Sequence, residues 1–125
     1  MKILVVDDVK GWRDYHIYVL NELFSEAEIY EADSARAGYD MLMQNNEEPF
    51  DIITTDLQME TDFVPKYAGE WFVEQIKSFR NYYKTKVVII SAAYNVRHIA
   101  EELGVDCIPK STVRNFPDSY NFLKD

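Results

Sequence analysis

Several polar residues stand where apolar runs stop, and their types sketch a chemistry. Asp7 and Asp8 follow ILVV (3–6), Asp56 closes FDIITTD (50–56), Ser91 closes KVVIIS (86–91) and Lys110 closes VDCIPK (105–110). Adjacent carboxylates at a strand end repel each other and cannot bury cheaply; if Asp56 joins them, the three cannot all stay ionised without help. A divalent cation supplies that help. Hard oxygen ligands, few in number and leaving room for water and a phosphoryl group, favour Mg²⁺ over a dedicated Ca²⁺ cage. A serine hydroxyl and a lysine ammonium opposite them complete a pocket for an anion. Such a pocket suits phosphoryl transfer, in which cation and lysine neutralise equatorial oxygens while a carboxylate attacks in line. His16 and His98 stand at no strand end, so a zinc site is not expected.

The elements that must position these groups follow from periodicity. ILVV reads as a buried strand, and residues 9–24 carry Trp12, Ile17, Leu20, Leu23 and Phe24 at helical intervals. Residues 27–32 form a second strand, and Ser34 is the N-cap of a helix through Asn45. After the third strand comes an irregular stretch, 57–68, with room for a functional loop. A helix with Trp71, Phe72, Ile76 and Phe79 follows. KVVIIS is the strongest strand, a short helix over 95–103 is closed by Gly104, VDCIPK is a fifth strand, and a last short helix spans 116–123. Alternating strands and helices, with several strands apolar throughout, predict a doubly wound, five-stranded parallel sheet. With strand order 2-1-3-4-5, Asp7, Asp8 and Asp56 converge at the switch point, on the same edge as Ser91 and Lys110.

The bulk composition sets the other bounds. At 125 residues and 47% hydrophobic content, the chain is the size of one domain with a real core. Thirteen basic residues against twenty-two acidic ones give a net charge of −9, and the basic residues do not cluster, which opposes nucleic-acid binding. No apolar run is long enough for a membrane span, and a cytoplasmic protein is expected. The single cysteine, Cys107, reads as a buried strand thiol.

On the acidic pair after ILVV, Asp56 after DIITT, Ser91–Ala92 after VVII and Lys110 closing the fifth strand, the sequence resembles a receiver domain of two-component response regulators over essentially its whole length. The resemblance implies the flavodoxin-like, CheY-like (βα)5 fold. It implies that Asp56 is the phosphoacceptor, taking its group from a histidine kinase or histidine phosphotransfer protein. Asp8 would bind Mg²⁺ directly, with Asp7 helping through water and the backbone carbonyl of Gln58 as a further ligand. Lys110 would pair with the aspartyl phosphate, and Ser91 would donate a hydrogen bond to it. Gly11, Trp12 and Tyr15 would face the phosphodonor partner. The switch would lie in the loops and helix after strand four. The expected whole is a stand-alone receiver over 1–125, not an enzyme, with output through an unidentified protein.

Departures from the family's pattern are also legible. The segment from Asp56 to Gly69 is long, Glu60 follows Met59 where proline is common, and Glu60 and Asp62 are expected near the metal site. Lys110 precedes Ser111 rather than proline, and a cis bond there would cost about 2.5–4 kcal/mol, so none is expected. Cys107 stands where many relatives carry the switch aromatic, and the short span from Ser91 to Lys110 predicts a short fourth helix. These changes keep open a second reading, a pseudo-receiver acting as a phosphorylation-independent interaction module. A flavin binder on the same fold is disfavoured because DDVKG offers carboxylates in place of a phosphate cradle, and a haloacid-dehalogenase-type phosphohydrolase because its nucleophile and acid would stand one residue apart whereas Asp7 and Asp8 are adjacent. His16 and His98 are expected on surface or half-buried helix positions, and Tyr82–Lys84 on a surface turn.

Overall fold

The computed structural model describes residues 1–124. Five strands, β1 (Lys2–Val6), β2 (Glu28–Ala32), β3 (Ile52–Thr55), β4 (Lys86–Ser91) and β5 (Asp106–Pro109), form one parallel sheet in the order β2-β1-β3-β4-β5. The helices between them are α1 (Lys10–Leu23), α2 (Ala35–Gln44), α3 (Ala68–Ser78) and α4 (Val96–Leu103). The predicted fold class and strand order are therefore met. No helix among the described residues is long and apolar enough to cross a membrane.

Successive strand side chains point to opposite faces, and the core divides accordingly. Leu4, Val6, Ile53 and Ile89 pack with Leu42, Phe72, Ile76 and Ile99 from α2, α3 and α4. Ile3, Val5, Ile52, Val88 and Ile90 pack with Leu20 of α1, and with Val113, Tyr120 and Leu123 of the C-terminal segment. Burial on both faces explains why β1, β3 and β4 are apolar along their length rather than alternating.

The local boundaries follow from caps. The Ser34 hydroxyl accepts from Ala37 N–H at 3.0 Å, as a helix N-cap should. Gly104 ends α4 with φ of 71°, the left-handed turn that glycine adopts without strain. At eight residues α4 is short, as the spacing predicts.

The C-terminal region differs from expectation. Lys110 does not close the fifth strand but opens a helix, α5 (Lys110–Asn115), and residues Pro117–Lys124 continue as a 3-10 helix. The reason is packing: Val113 is fully buried, so the chain turns back onto the sheet as soon as Pro109 ends β5. Tyr82 is also buried, not on a surface turn; its hydroxyl donates to the Leu42 carbonyl at 2.9 Å.

Candidate functional site

Strand register brings the acidic groups together. Val6 pairs with Thr55 across β1 and β3, so Asp7 and Asp56, one residue further on, leave the sheet side by side. Ser91 pairs with Pro109 across β4 and β5, which sets Lys110 just beyond the same edge. Lys110 then reaches across: its Nζ donates to Asp56 Oδ2 at 2.9 Å and stands 3.0 Å from Asp7 Oδ2. The Asp7 contact is an ion pair without hydrogen-bond alignment. All three residues are buried.

The remaining oxygens are held by backbone. Asp56 Oδ1 accepts from Leu57 N–H at 2.7 Å, and Asp7 Oδ1 accepts from Val9 N–H at 2.9 Å. Burial pushes the Asp7 pKa up, but the His16 ring, the Val9 N–H and Lys110 outweigh it, and the net direction is down. Asp8 is exposed at the mouth and shifts the other way, raised by partial burial and then by the charges of Asp7 and Asp56. One lysine thus compensates three carboxylates, each of which offers an oxygen within 4.8 Å of the others. That donor set fits a small hard cation such as Mg²⁺: oxygen ligands only, and an excess of negative charge.

The cavity over Asp56 encloses about 490 Å³ and is lined by Asp8, Val9, Trp12, Asp56, Gln58, Ala92, Lys110, Ser111 and Arg114. Gln58 therefore lies at the pocket. Ser91 is fully buried, and its hydroxyl accepts from Ala93 N–H at 3.1 Å. Gly11 is exposed, while Trp12 and Tyr15 are half-buried. Trp12 lies with its ring 4.9 Å from Lys110 Nζ and 5.5 Å from the Arg114 guanidinium, both cation–π contacts. Tyr15 donates its hydroxyl to the Val113 carbonyl at 3.1 Å. Trp12 and Tyr15 are thus tied to α5 as well as facing outward.

Several expectations are corrected here. Glu60 and Asp62 turn to α2: the Glu60 carboxylate accepts from Ala35 N–H at 2.7 Å and Arg36 N–H at 3.1 Å, and Asp62 lies 3.7 Å from Arg36. The two unpaired N–H groups and the helix dipole at that end attract the carboxylate. Phe63 stacks on Trp71 with centroids 4.6 Å apart, pinning the long loop to α3. His16 is not a surface residue; it is 2% exposed and stacks on Trp12. Its place was visible in the 12-16-20 spacing of the inward stripe on α1. Ser111 and Arg114 carry no such signal, because they fall between the expected fifth strand and the expected last helix, where α5 forms instead. Cys107 is half-buried, and burial pushes its thiol pKa up. Among the described residues the cis peptide is Val64–Pro65; Lys110–Ser111 is trans, as expected.

An acidic pocket bridged by lysine at the switch point of a five-stranded doubly wound sheet marks out one class among the proteins that share this architecture. Residues 3–114 match the response regulator receiver domain family, and the chain belongs to it. Among solved structures it is similar to the Mn²⁺-bound form of response regulator Rcp1, at 23% identity over 98% of this chain and 88% of that one, with a TM-score of 0.75. The receiver domain of a DNA-binding response regulator from Colwellia psychrerythraea 34H matches at 24% identity over 89% and 86%, with a TM-score of 0.72. CheY4 of Vibrio cholerae matches at 19% identity over 85% and 82%, with a TM-score of 0.67. At these identities the likeness is one of fold. No curated protein sequence gives a significant match.

Proposed function

We propose that this receiver domain is a phosphorylatable switch in which Asp56 takes a phosphoryl group from the phosphohistidine of a histidine kinase or phosphotransfer protein. The observation that carries this reading is the placement of Lys110, whose ammonium holds Asp56 Oδ2 at 2.9 Å inside the cavity. Asp56 Oδ2 attacks phosphorus, the P–N bond breaks, and the imidazole leaves with the electron pair. Asp56 Oδ1 stays bound to Leu57 N–H, which orients the attacking oxygen. Lys110 neutralises the charge that develops on the transferred group, and Arg114 and Ser111 line the path by which it enters. Asp7, Asp8, Asp56 and the Gln58 carbonyl would hold Mg²⁺, which when bound supplies further neutralisation of the phosphoryl oxygens. The domain would act as a switch rather than as an enzyme, its readout being a changed protein surface around Ser91–Ala92 and α4. A net charge of −9 supports protein rather than nucleic acid as its partner.

A second reading, a pseudo-receiver that binds its partner without phosphorylation, is favoured by two observations. Lys110 opens α5 and is followed by Ser111 rather than proline, and Cys107 stands where many relatives carry the switch aromatic. Intact mass measured after incubation with acetyl phosphate and Mg²⁺ separates the readings. A single phosphoryl adduct, absent without Mg²⁺ and absent in Asp56→Asn, is the expected result. Folded protein that takes no adduct and gives no response to beryllofluoride supports the pseudo-receiver.

A further inference from the structure

Behind the acidic pocket lies a buried polar chain that the phosphoryl chemistry above does not use. His16 on α1 is 2% exposed and Tyr120 on the C-terminal 3-10 helix is fully buried, and the tyrosine hydroxyl bonds His16 Nδ1. The other ring nitrogen, Nε2, faces Asp7 Oδ2 at 3.7 Å. That distance is an electrostatic contact, too long for a hydrogen bond, and the same oxygen has Lys110 Nζ at 3.0 Å. Trp12 covers both groups: its ring stacks on His16 at 5.6 Å and takes Lys110 Nζ at 4.9 Å.

Hydrogen-bond accounting fixes the direction of the chain. A buried phenol needs an acceptor, and the one partner of the Tyr120 hydroxyl among the described residues is His16 Nδ1. Burial pushes the Tyr120 pKa up, so the hydroxyl keeps its proton and donates it. Nδ1 is then the acceptor, and in the neutral ring the proton sits on Nε2, pointing at Asp7. The arrangement supplies a donor that Asp7 Oδ2 does not yet take up.

We infer that His16, with its tautomer set by Tyr120, is the positioning residue of Asp7 and takes over Asp7 Oδ2 when Lys110 turns to the phosphoryl group on Asp56. The inference rests on the phosphorylation reading above. In the resting arrangement Lys110 serves Asp7 and Asp56 together. Once it engages the phosphoryl oxygens, a carboxylate 1% exposed loses its bound cation. A second donor facing the same oxygen keeps Asp7 aimed into the metal site. This joins the acidic pocket to the C-terminal segment through three residues, Asp7, His16 and Tyr120.

Two readouts test it on the whole protein. In metal-free protein, a long-range proton–nitrogen correlation spectrum of the His16 ring should show the Nε2–H tautomer. A Nδ1–H tautomer would overturn the inference whatever the site binds. Calorimetric titration with MgCl₂ in the presence of beryllofluoride, which stands in for the phosphoryl group that draws Lys110 away from Asp7, should show His16→Leu binding about tenfold more weakly than the unaltered protein, the size expected when a residue supporting a metal ligand is lost. His16→Gln, whose amide N–H stands near the position of Nε2, should recover most of that loss. Unchanged affinity in folded His16→Leu, or no recovery in His16→Gln, overturns the inference. Tyr120→Phe keeps the ring and its packing, and should give mixed tautomers with intermediate Mg²⁺ affinity; a single Nε2–H tautomer there removes Tyr120 from the chain. Asp8→Ala distinguishes the two readings. If it binds Mg²⁺ as well as the unaltered protein, the metal assignment has failed, and the tautomer spectrum alone decides the role of His16.

Discussion

Gly69 is packed directly on the backbone of Asp56: a Cβ at Gly69 would stand 2.0 Å from the Asp56 carbonyl oxygen. Its own N–H donates to the Leu57 carbonyl at 3.0 Å, so the first turn of α3 is fastened to the end of β3. Residue 69 lies far from the phosphoacceptor in sequence, yet it sets the backbone from which the Asp56 side chain projects. The long loop between them is held at both ends, by Glu60 on α2 and by Gly69 on β3.

Gly69→Ala should therefore act on the site through the backbone. Leu57 Cα would lie 2.6 Å from the new methyl, and neither backbone atom can move aside as a flexible side chain would. The expected loss is about 1–3 kcal/mol, the usual range for overpacking. Urea unfolding measures it, and phosphorylation by acetyl phosphate should slow alongside. Full stability in Gly69→Ala would show that α3 is free to shift from β3.

Lys110→Met removes the cation that buried Asp7 and Asp56 share. Breaking a buried ion pair from one side costs about 3–5 kcal/mol. Lys110 is one of the groups that lower the Asp7 pKa, so the mutant deficit is present at neutral pH and shrinks as pH falls through the carboxylate range. Added Mg²⁺ should narrow the gap, because it binds the now uncompensated carboxylates more tightly than in the unaltered protein. Thermal unfolding with and without Mg²⁺ at two pH values checks all of this, and a gap that Mg²⁺ leaves untouched would place the metal elsewhere.

Glu60→Ala should weaken α2 and spare the metal site. The carboxylate accepts from Ala35 and Arg36 N–H at the helix start, a contact of the kind whose removal costs about 0.5–2 kcal/mol. Mg²⁺ affinity, read by calorimetry, should stay within error of the unaltered protein. A marked rise or fall in affinity would mean that the loop swings toward Asp8 in solution.

The contrast between Glu60 and Asp56 shows what a sequence displays and what it hides. Asp7, Asp56, Ser91 and Lys110 were legible because each ends an apolar run, and strand order alone then brings them to one edge. Their meeting needs no knowledge of rotamers. Glu60 lies in a stretch without periodicity, where chain direction is set by contacts with α2 that no local pattern encodes. His16 is hidden for another reason: its polar type points to the surface, whereas its position, with Trp12 and Leu20 on the same helical repeat, puts it on the inward stripe. Lys110 was placed at the right edge but in the wrong element, because Pro109 and Val113 turn the chain one residue earlier than the strand pattern suggests.

Asp8 offers the sharpest test of the idea that the pocket is built for a cation. Its pKa is raised, by partial burial first and by the charges of Asp7 and Asp56 after that. The folded state therefore holds the proton more tightly than the unfolded chain does. Below the unfolded value of 3.8 both states are protonated and the side chain costs nothing. As pH rises through the folded pKa the carboxylate ionises against its neighbours, and stability falls. Asp8→Asn should consequently be more stable than the unaltered protein at neutral pH in EDTA, by no more than about 1 kcal/mol, since solvent screens an exposed carboxylate. The advantage should vanish below that value. Mg²⁺ reverses the order, because the cation binds, and so stabilises, the protein that keeps the Asp8 carboxylate more than the variant that has lost this ligand. Thermal unfolding in EDTA and in MgCl₂, each at neutral and acidic pH, reads out all four cases. Asp8→Asn that is less stable in EDTA at neutral pH would mean that Asp8 is already paired, and that the pocket does not hold uncompensated charge for a metal.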